Sequence, residues 1–134
     1  MKTEKKILLA RKRHWRVRKR VIGTASRPRM SVAFSNQHIY VQFINDEAGV
    51  TIAAASTRTK KASGDVKLSA NRVGAMAIGR LAAQAAIANG VTEIIFDRGS
   101  NRYHWTKSTS KGAQVYFGKT AALAEAARSA GLKF

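Results

Sequence analysis

The pattern of hydrophobic and polar residues changes along the chain, and its first change separates a helix from a group of strands. Residues 3–20 contain no Gly or Pro and are rich in Lys, Arg, Leu and Ala, which predicts a helix, although its apolar residues are too sparse for a continuous stripe. From Met30 onward the pattern is typical of strands. Ser31–Phe34 and His38–Ile44 flank three polar residues, which predicts a tight hairpin, and Val50–Thr57 predicts a third strand.

The second half of the chain predicts two more helices and one more strand. Ser69–Asn89 is rich in Ala and contains two glycines, which indicates a helix that lies close to a sheet. Val91–Asp97 predicts a fourth, mostly buried strand. Arg98–Gly112 is expected to be a loop, Val115–Phe117 a short extended piece, and Lys119–Ala130 a last helix.

The order of these elements predicts a mixed α/β (α+β) fold. A three-stranded antiparallel meander and the fourth strand form one mixed sheet, two helices pack on it, and a basic helical arm precedes it. We expect the arm to cover residues 1–22 and a single globular domain to cover residues 23–134.

Positive charge is concentrated in the predicted arm. The chain has 134 residues, 25 Lys and Arg against seven acids, a net charge of +18 and a pI of about 11.4. This is far more charge than solubility needs, so we expect a polyanionic partner, of which nucleic acid is the commonest. Twelve of the basic residues precede Met30, where Glu4 is the only acid: Lys2, Lys5, Lys6, Arg11, Lys12, Arg13, Arg16, Arg18, Lys19, Arg20, Arg27 and Arg29.

Like charges at three- and four-residue spacing oppose the helix of the arm. We therefore hypothesise that the arm orders fully only on its partner; strong helical circular dichroism from the isolated first twenty residues at low salt would contradict this. Trp15 has two open interpretations, stacking on an unpaired base or packing against the domain.

A second basic cluster lies on the predicted loop, where aromatic residues alternate with cations in a way that suits irregular RNA. A third, weaker cluster is interpreted equally well as an ordinary exposed surface. The second cluster is Arg98, Arg102, His104, Lys107 and Lys111, with Tyr103 and Trp105 between them, and the third is Arg58, Lys60, Lys61 and Lys67.

The residues that catalysis would need are scattered. The seven carboxylates do not converge in the sequence, and the three histidines lack metal-ligand spacing. We expect no enzymatic activity, no metal and no cofactor, and we interpret Asp97 as an ion-pairing or loop-fixing residue. The chain has no cysteine, which excludes disulfides and fits a reducing compartment, and no apolar run is long enough to span a bilayer.

Several motifs, in their order and spacing, resemble those of one family, the bacterial-type L18 family of large-subunit ribosomal proteins. The resemblance runs from about Arg11 to the last residue. The motifs are Gly23–Val32, Ser35–Gln42, Ala53–Thr57, Phe96–Gly99, Ala121–Arg128 and Gly131–Phe134.

The resemblance implies a non-catalytic protein of the ribosome in the cytoplasm. It would bind 5S rRNA, bridge it to the large-subunit (23S-type) rRNA in the central protuberance, and touch neighbouring ribosomal proteins, with no membrane contact and no homo-oligomer. Combined with the basic clusters, it gives these candidate RNA-binding residues: Arg11, Lys12, Arg13, His14, Trp15, Arg16, Arg18, Lys19, Arg20, Arg27, Arg29, Ser35, Asn36, His38, Arg98, Arg102, Tyr103, His104, Lys107, Lys111, Tyr116 and Lys119.

The chain departs from the family after Phe96. Members usually carry Tyr-His-Gly-Arg there, directly before the last helix, whereas here Tyr103-His104 is followed by Trp105. Tyr116-Phe117-Gly118-Lys119 is the alternative match, so the sequence leaves open which tyrosine takes the family's position. We hypothesise that the extra length is a basic loop that makes additional RNA contacts.

Two other functions compete with ribosomal RNA binding. A basic DNA-compacting protein would share the salt dependence without preferring folded RNA. An enzyme of the ribonuclease-H-like class has a loosely similar strand order, but the scattered carboxylates argue against it.

Overall fold

A four-stranded mixed sheet organises the chain in the computed structural model, which describes residues 2–59, 68–106 and 116–134. A basic helix precedes the sheet, and two further helices follow its third strand. The elements are α1 (Thr3–Arg18), β1 (Arg29–Phe34), β2 (Ile39–Asn45), β3 (Val50–Ser56), α2 (Arg72–Ala88), β4 (Ile95–Asp97), β5 (Trp105–Thr106), β6 (Tyr116–Phe117) and α3 (Lys119–Ser129).

The sheet has the predicted mixed arrangement, with the strand order β3-β2-β1-β4. β1, β2 and β3 form the antiparallel meander, and β4 pairs with β1 in parallel. Phe34 pairs with Ile39 at the end of the first hairpin, so the three polar residues and His38 form its loop. The expected fold class is confirmed.

The core lies between the sheet and α2, with α3 packed against α2. Met30 of β1 and Phe43 of β2 are fully buried, as are Ile78 of α2 and Leu123 of α3. Burial of such large apolar side chains is the main stabilising term of the domain.

Gly79 of α2 serves a different contact from the predicted one. A Cβ on Gly79 would lie 2.5 Å from the carbonyl oxygen of Leu123 and 3.0 Å from the Cβ of Ala126. The small residue therefore lets α2 approach α3, rather than the sheet.

The fourth strand is shorter than the predicted Val91–Asp97. The N–H of Ile95 donates to the carbonyl of Pro28 at 2.9 Å, but Pro28 has no N–H with which to continue the ladder. The residues before β4 pair with the C-terminal segment instead, through bonds from Ile94 N to Lys133 O (3.1 Å) and from Lys133 N to Thr92 O (3.0 Å).

The connection between β4 and α3 contains a short two-stranded ladder, and the sequence predicted one of its two strands. The predicted extended piece near Tyr116 forms β6, and β6 pairs with β5, where Trp105 is opposite Phe117 and Thr106 opposite Tyr116. Within residues 2–59, 68–106 and 116–134, no helix is long and apolar enough to cross a membrane.

Candidate RNA interface

The helix α1 presents its basic side chains to solvent. None of its sixteen residues is buried, and only Arg18, its last residue, is half-buried. Trp15 is 59% exposed, so this aromatic ring does not pack against the domain and remains accessible for stacking. Since α1 packs no apolar face against the domain, packing does not stabilise it, and its basic surface is accessible to a partner molecule.

A charge cluster joins the end of α1 to the sheet. It consists of Arg18, Arg29, Asp46 and Asp97, and we call it the arginine–aspartate cluster. Arg29 donates to both carboxylate oxygens of Asp46, at 2.9 Å each, and to Oδ2 of Asp97 at 3.0 Å. Arg18 Nη2 donates to Oδ1 of Asp46 at 3.0 Å, and its Nη1 lies 4.0 Å from Oδ2 of Asp97.

The strand register explains why these charges meet. Arg29 is the first residue of β1, and Asp97, the last residue of β4, lies opposite Ser31, two residues further along β1. Side chains two residues apart on a strand share a face, so Arg29 and Asp97 are on one side of the sheet. Asp46 directly follows β2, whose Ile44 pairs with Arg29.

Hydrogen bonding sets the ionisation of Asp46 and Arg29. The guanidinium of Arg29, the backbone N–H of Gly23 and the guanidinium of Arg18 together hold the pKa of Asp46 far below its usual range, against the opposing effect of burial. Asp46 in turn raises the pKa of Arg29. Asp46 and Arg29 are therefore both charged at neutral pH.

Gly23 completes the attachment of the arm. Its N–H donates to Asp46 Oδ2 at 2.7 Å, and its carbonyl accepts from the Asp46 N–H at 2.9 Å. A Cβ at this position would lie 2.2 Å from the carbonyl oxygen of Ile44 and 2.5 Å from the N of Arg29. Only glycine fits such a close approach of two backbone segments.

A cleft of about 510 Å³ separates α1 from the loop that follows β4. Arg13, His14 and Arg16 line it from the helix, and Arg98 lines it from the loop. Arginine guanidinium groups on two walls suit a phosphate-bearing ligand, because each presents a planar array of donors. His14 also lines a neighbouring hollow beside Phe34 and the loop.

Two polar side chains of the first hairpin, Ser35 and His38, form hydrogen bonds within the protein. The Ser35 hydroxyl accepts from the His38 N–H at 2.9 Å and bonds the His38 carbonyl at 3.1 Å, so it shapes the turn. The His38 ring nitrogen Nδ1 lies 3.2 Å from the Thr57 hydroxyl. Asn36 is exposed at the tip of the loop.

Tyr103 belongs to a network on α3. Its hydroxyl donates to the Glu125 carboxylate at 3.4 Å and accepts from Arg128 Nη1 at 3.2 Å. Its ring contacts Phe96 edge-on, with 6.4 Å between the centroids. These contacts fix the ring beside the start of the long loop.

Within the long connection between β4 and α3, His104 and Gly118 lie side by side. The N–H of Gly118 donates to the carbonyl of His104 at 2.9 Å, and a Cβ on Gly118 would lie 3.1 Å from the Cβ of His104. Tyr103-His104 and Gly118-Lys119 are therefore adjacent in space. β5 begins directly after His104, and β6 ends directly before Gly118. Lys119, the first residue of α3, lies over the Phe34 ring at 5.4 Å.

The other candidates lie in several environments. Arg27 is exposed and donates from Nε to the Ile94 carbonyl at 3.3 Å, whereas Arg98 donates to the Asn101 carbonyl at 2.9 Å. The candidates Lys107 and Lys111, like Lys60, Lys61 and Lys67, fall outside the described residues. Exposed candidates are Arg11, Lys12, Lys19, Arg20, Arg58, Arg102 and His104.

Asp97 has the role interpreted from the sequence. It pairs with Arg29, not with its neighbour Arg98, and its Oδ1 accepts from the Gly99 N–H at 2.9 Å.

Sequence reasoning missed Asp46, because an acid inside Asn45–Gly49 is ordinary in a turn. The available signal was the hairpin register, which brings the end of β2 beside Arg29.

Comparisons with known proteins give one family. The model for ribosomal L18 of archaea, bacteria, mitochondria and chloroplasts matches residues 3–110. The large ribosomal subunit protein uL18 of Microcystis aeruginosa is 47% identical over 124 residues, which are 92% of this chain and 92% of that protein. The uL18 proteins of Desulfitobacterium hafniense and Petrotoga mobilis are 46% and 44% identical, over 92% and 94% of this chain and 90% and 93% of their own.

Proposed function

The chain belongs to the L18 family of ribosomal proteins, and we propose from this premise that it binds 5S rRNA and bridges it to the large-subunit rRNA in the central protuberance. Members of this family are structural, non-enzymatic constituents of the large ribosomal subunit. The protein accordingly acts by holding RNA, on the ribosome and in the cytoplasm, beside other ribosomal proteins.

One observation carries the proposal: α1 exposes basic side chains along its length and buries no residue. Such a helix gains little from its own domain, and like charges destabilise it. A polyphosphate backbone neutralises those charges and releases condensed counterions. The arm therefore supplies affinity, while the domain supplies a fixed surface beside it.

The RNA-facing residues in this proposal lie on both sides of the cleft. Arg13 and Arg16 contact phosphates from the arm, Arg98 does so from the loop, and Trp15 stacks on an unpaired base. Arg29 has a different role, because its side chain is 10% exposed and its guanidinium is bonded to two aspartates. We assign it to the interior of the protein and not to the RNA contact.

The family's Tyr-His-Gly-Arg motif is divided here between two parts of the chain, and their arrangement favours Tyr103 over Tyr116 as its tyrosine. Tyr103-His104 continues in space into Gly118-Lys119, which gives Tyr-His-Gly followed by a cation. Tyr116 belongs instead to the ladder of β5 and β6, which joins the two ends of residues 105–117, here called the inserted segment. We infer that Tyr103 and His104, with Lys119, form the RNA surface that the family forms with contiguous residues.

A binding titration tests this function. Wild-type protein is titrated with 5S rRNA, transfer RNA and duplex DNA at low salt and at about 0.15 M salt. We expect 5S rRNA alone to be retained at the higher salt, with a log–log salt slope on the order of −6 to −9 for about eight to ten phosphates. Equal loss of all three ligands would overturn the proposal and favour DNA compaction.

A further inference from the structure

Beyond the RNA contacts themselves, we propose that Asp46 is a positioning residue: by holding Arg18 and Arg29 together, its carboxylate sets the direction in which α1 leaves the domain. The inference rests on the proposed function, because the direction of α1 matters for RNA that both α1 and the domain contact.

Asp46 bonds to three points of the segment that joins α1 to β1. Its Oδ1 accepts from Arg18 Nη2 at 3.0 Å and from Arg29 Nη2 at 2.9 Å. Its Oδ2 accepts from the Gly23 N–H at 2.7 Å and from Arg29 Nε at 2.9 Å. Arg18 ends the helix, Gly23 lies in the middle of the connection, and Arg29 begins the strand, so one carboxylate fixes the whole joint.

Other constraints on the arm are few. In the described ranges, Arg18 is the only α1 side chain with a hydrogen bond or ion pair to the domain. No residue of α1 is buried, so apolar packing does not orient the helix. The direction of α1 therefore depends on its last residue and the turn after it.

The length of the helix amplifies any change at this joint. Sixteen residues span about 24 Å at about 1.5 Å per residue. A rotation of about 10° at Arg18 would move the far end by about 4 Å, which is more than the length of a hydrogen bond. It would also change the cleft between Arg13 or Arg16 and Arg98.

Asp46 also keeps two cations together. Arg18 and Arg29 both donate to one of its oxygens, and without that carboxylate Asp97 would be the one acid among the described residues that faces the two guanidiniums. Asp97 bonds Arg29 at 3.0 Å but lies 4.0 Å from Arg18. Repulsion would then move the partly exposed Arg18, and α1 with it, away from the buried Arg29.

The net charge of the protein and the positioning role of Asp46 predict opposite effects of D46N on RNA affinity. D46N removes a negative charge from a basic protein, so net charge alone predicts tighter RNA binding. Loss of positioning predicts weaker binding, because arm and domain no longer contact the RNA together. Glu47, the exposed neighbour on the same turn, provides a matched control, since E47Q makes the same change in charge.

The experiment compares affinities of the full chain for 5S rRNA at about 0.15 M salt. We expect E47Q to bind as tightly as wild type or slightly more tightly, and D46N to bind roughly tenfold more weakly, as for a few lost phosphate contacts. If wild type fails to retain the RNA, the proposed function falls and the inference falls with it. If wild type binds and D46N binds as tightly as E47Q, the inference alone is overturned.

A double-mutant cycle separates positioning from mere destabilisation. R13Q is measured in the wild-type, D46N and E47Q backgrounds, with circular dichroism to check folding. We expect R13Q to cost about three- to tenfold in the wild-type and E47Q backgrounds, but less than about twofold in D46N, because the misdirected arm no longer brings Arg13 to the RNA. The same cost in all three backgrounds would overturn the positioning role.

A milder variant covers the case in which D46N does not fold. R18K keeps the charge but replaces the planar guanidinium with a point charge that cannot reproduce its two donors to Asp46. Its control is R80K, a change at an exposed arginine of α2. We expect R18K to weaken RNA binding about threefold or more and R80K to leave it unchanged; equal affinities would contradict the proposal.

Discussion

At the scale of single residues, the acids of this basic chain differ in their exposure and their hydrogen bonding. Glu47 is exposed on its turn, whereas the neighbouring Asp46, with 15% of its side chain exposed, is bonded to two guanidiniums and one backbone N–H. The few carboxylates that such a cationic protein keeps in its interior organise cations that would otherwise repel one another.

The depressed pKa of Asp46 predicts how stability depends on pH. A carboxyl whose pKa is lowered by folding stabilises the protein fully above the unfolded-state pKa of about 3.9 and loses that contribution as the pH falls through the folded-state pKa. We expect D46N to lower the free energy of unfolding by about 2 to 3 kcal/mol at pH 7, since it breaks a mostly buried pair.

Urea unfolding followed by circular dichroism at pH 7, 5, 4 and 3 measures this dependence. The difference between wild type and D46N should shrink below about pH 4, because Asp46 gains a proton there in the unfolded chain while the folded protein keeps the carboxylate ionised. E47Q should stay close to wild type throughout. A difference that is the same at pH 7 and pH 3 would show that the ionised carboxylate is not the cause.

Trp15 predicts a separation of RNA affinity from stability. Its ring is 59% exposed, so W15L should leave the free energy of unfolding unchanged within about 0.5 kcal/mol. Stacking on a base is worth about 1 to 3 kcal/mol, so W15L should weaken 5S rRNA binding by about five- to a hundredfold. W15F, which keeps an aromatic face, is the control; equal losses in both variants would argue against stacking.

At the scale of elements, the sequence predicts what depends on local periodicity and misses what depends on distant partners. The polar residues 35–37 between two strand-like runs predicted the hairpin, and the Ala-rich segments predicted α2 and α3. The shortness of β4 follows from Pro28, which lies far from it in the chain. Likewise, the approach of Arg29 to Asp97 needs the parallel pairing of β1 with β4, which no local pattern specifies.

The inserted segment predicts a deletion that the fold tolerates. His104 and Gly118 are joined by a 2.9 Å backbone hydrogen bond, so removing residues 105–117 and linking these two residues restores Tyr-His-Gly-Lys. We expect the deletion variant to keep the thermal stability of wild type within a few degrees, because the ladder of β5 and β6 is only two residues long. Thermal unfolding by circular dichroism measures this.

The same variant tests the hypothesis that the segment contacts RNA. Loss of Lys107 and Lys111 should weaken 5S rRNA binding and reduce the magnitude of the log–log salt slope by up to about two. The double variant K107Q/K111Q is the matched control and should reproduce the change with the segment still present. An unchanged affinity and slope in both variants would contradict the hypothesis.

At the scale of the whole molecule, the chain combines a packed domain with a helix that the domain scarcely supports. α2 and α3 bury apolar side chains against the sheet and each other, whereas α1 is attached through the arginine–aspartate cluster and its connecting turn. Charge and hydropathy along the sequence predict a boundary between the arm and the domain at about residue 22, and this boundary stays a prediction. They could not predict the attachment, because it depends on Asp46, which lies far from α1 in the sequence.

Uneven packing predicts uneven protection from hydrogen exchange across the intact chain. An unsupported helix of about sixteen residues with like charges is marginal in water, so the amides of α1 should exchange within about tenfold of the unfolded rate, while those of α2 are strongly protected. Binding of 5S rRNA should slow exchange in α1 and leave the interior of α2 unchanged, because α1 buries no residue in the free protein whereas α2 is already packed in the core. Exchange measured by mass spectrometry with and without RNA gives both comparisons in one experiment. If α1 in the free protein is as protected as α2, the arm is ordered before binding, and its positive charge is then held in place by the domain alone.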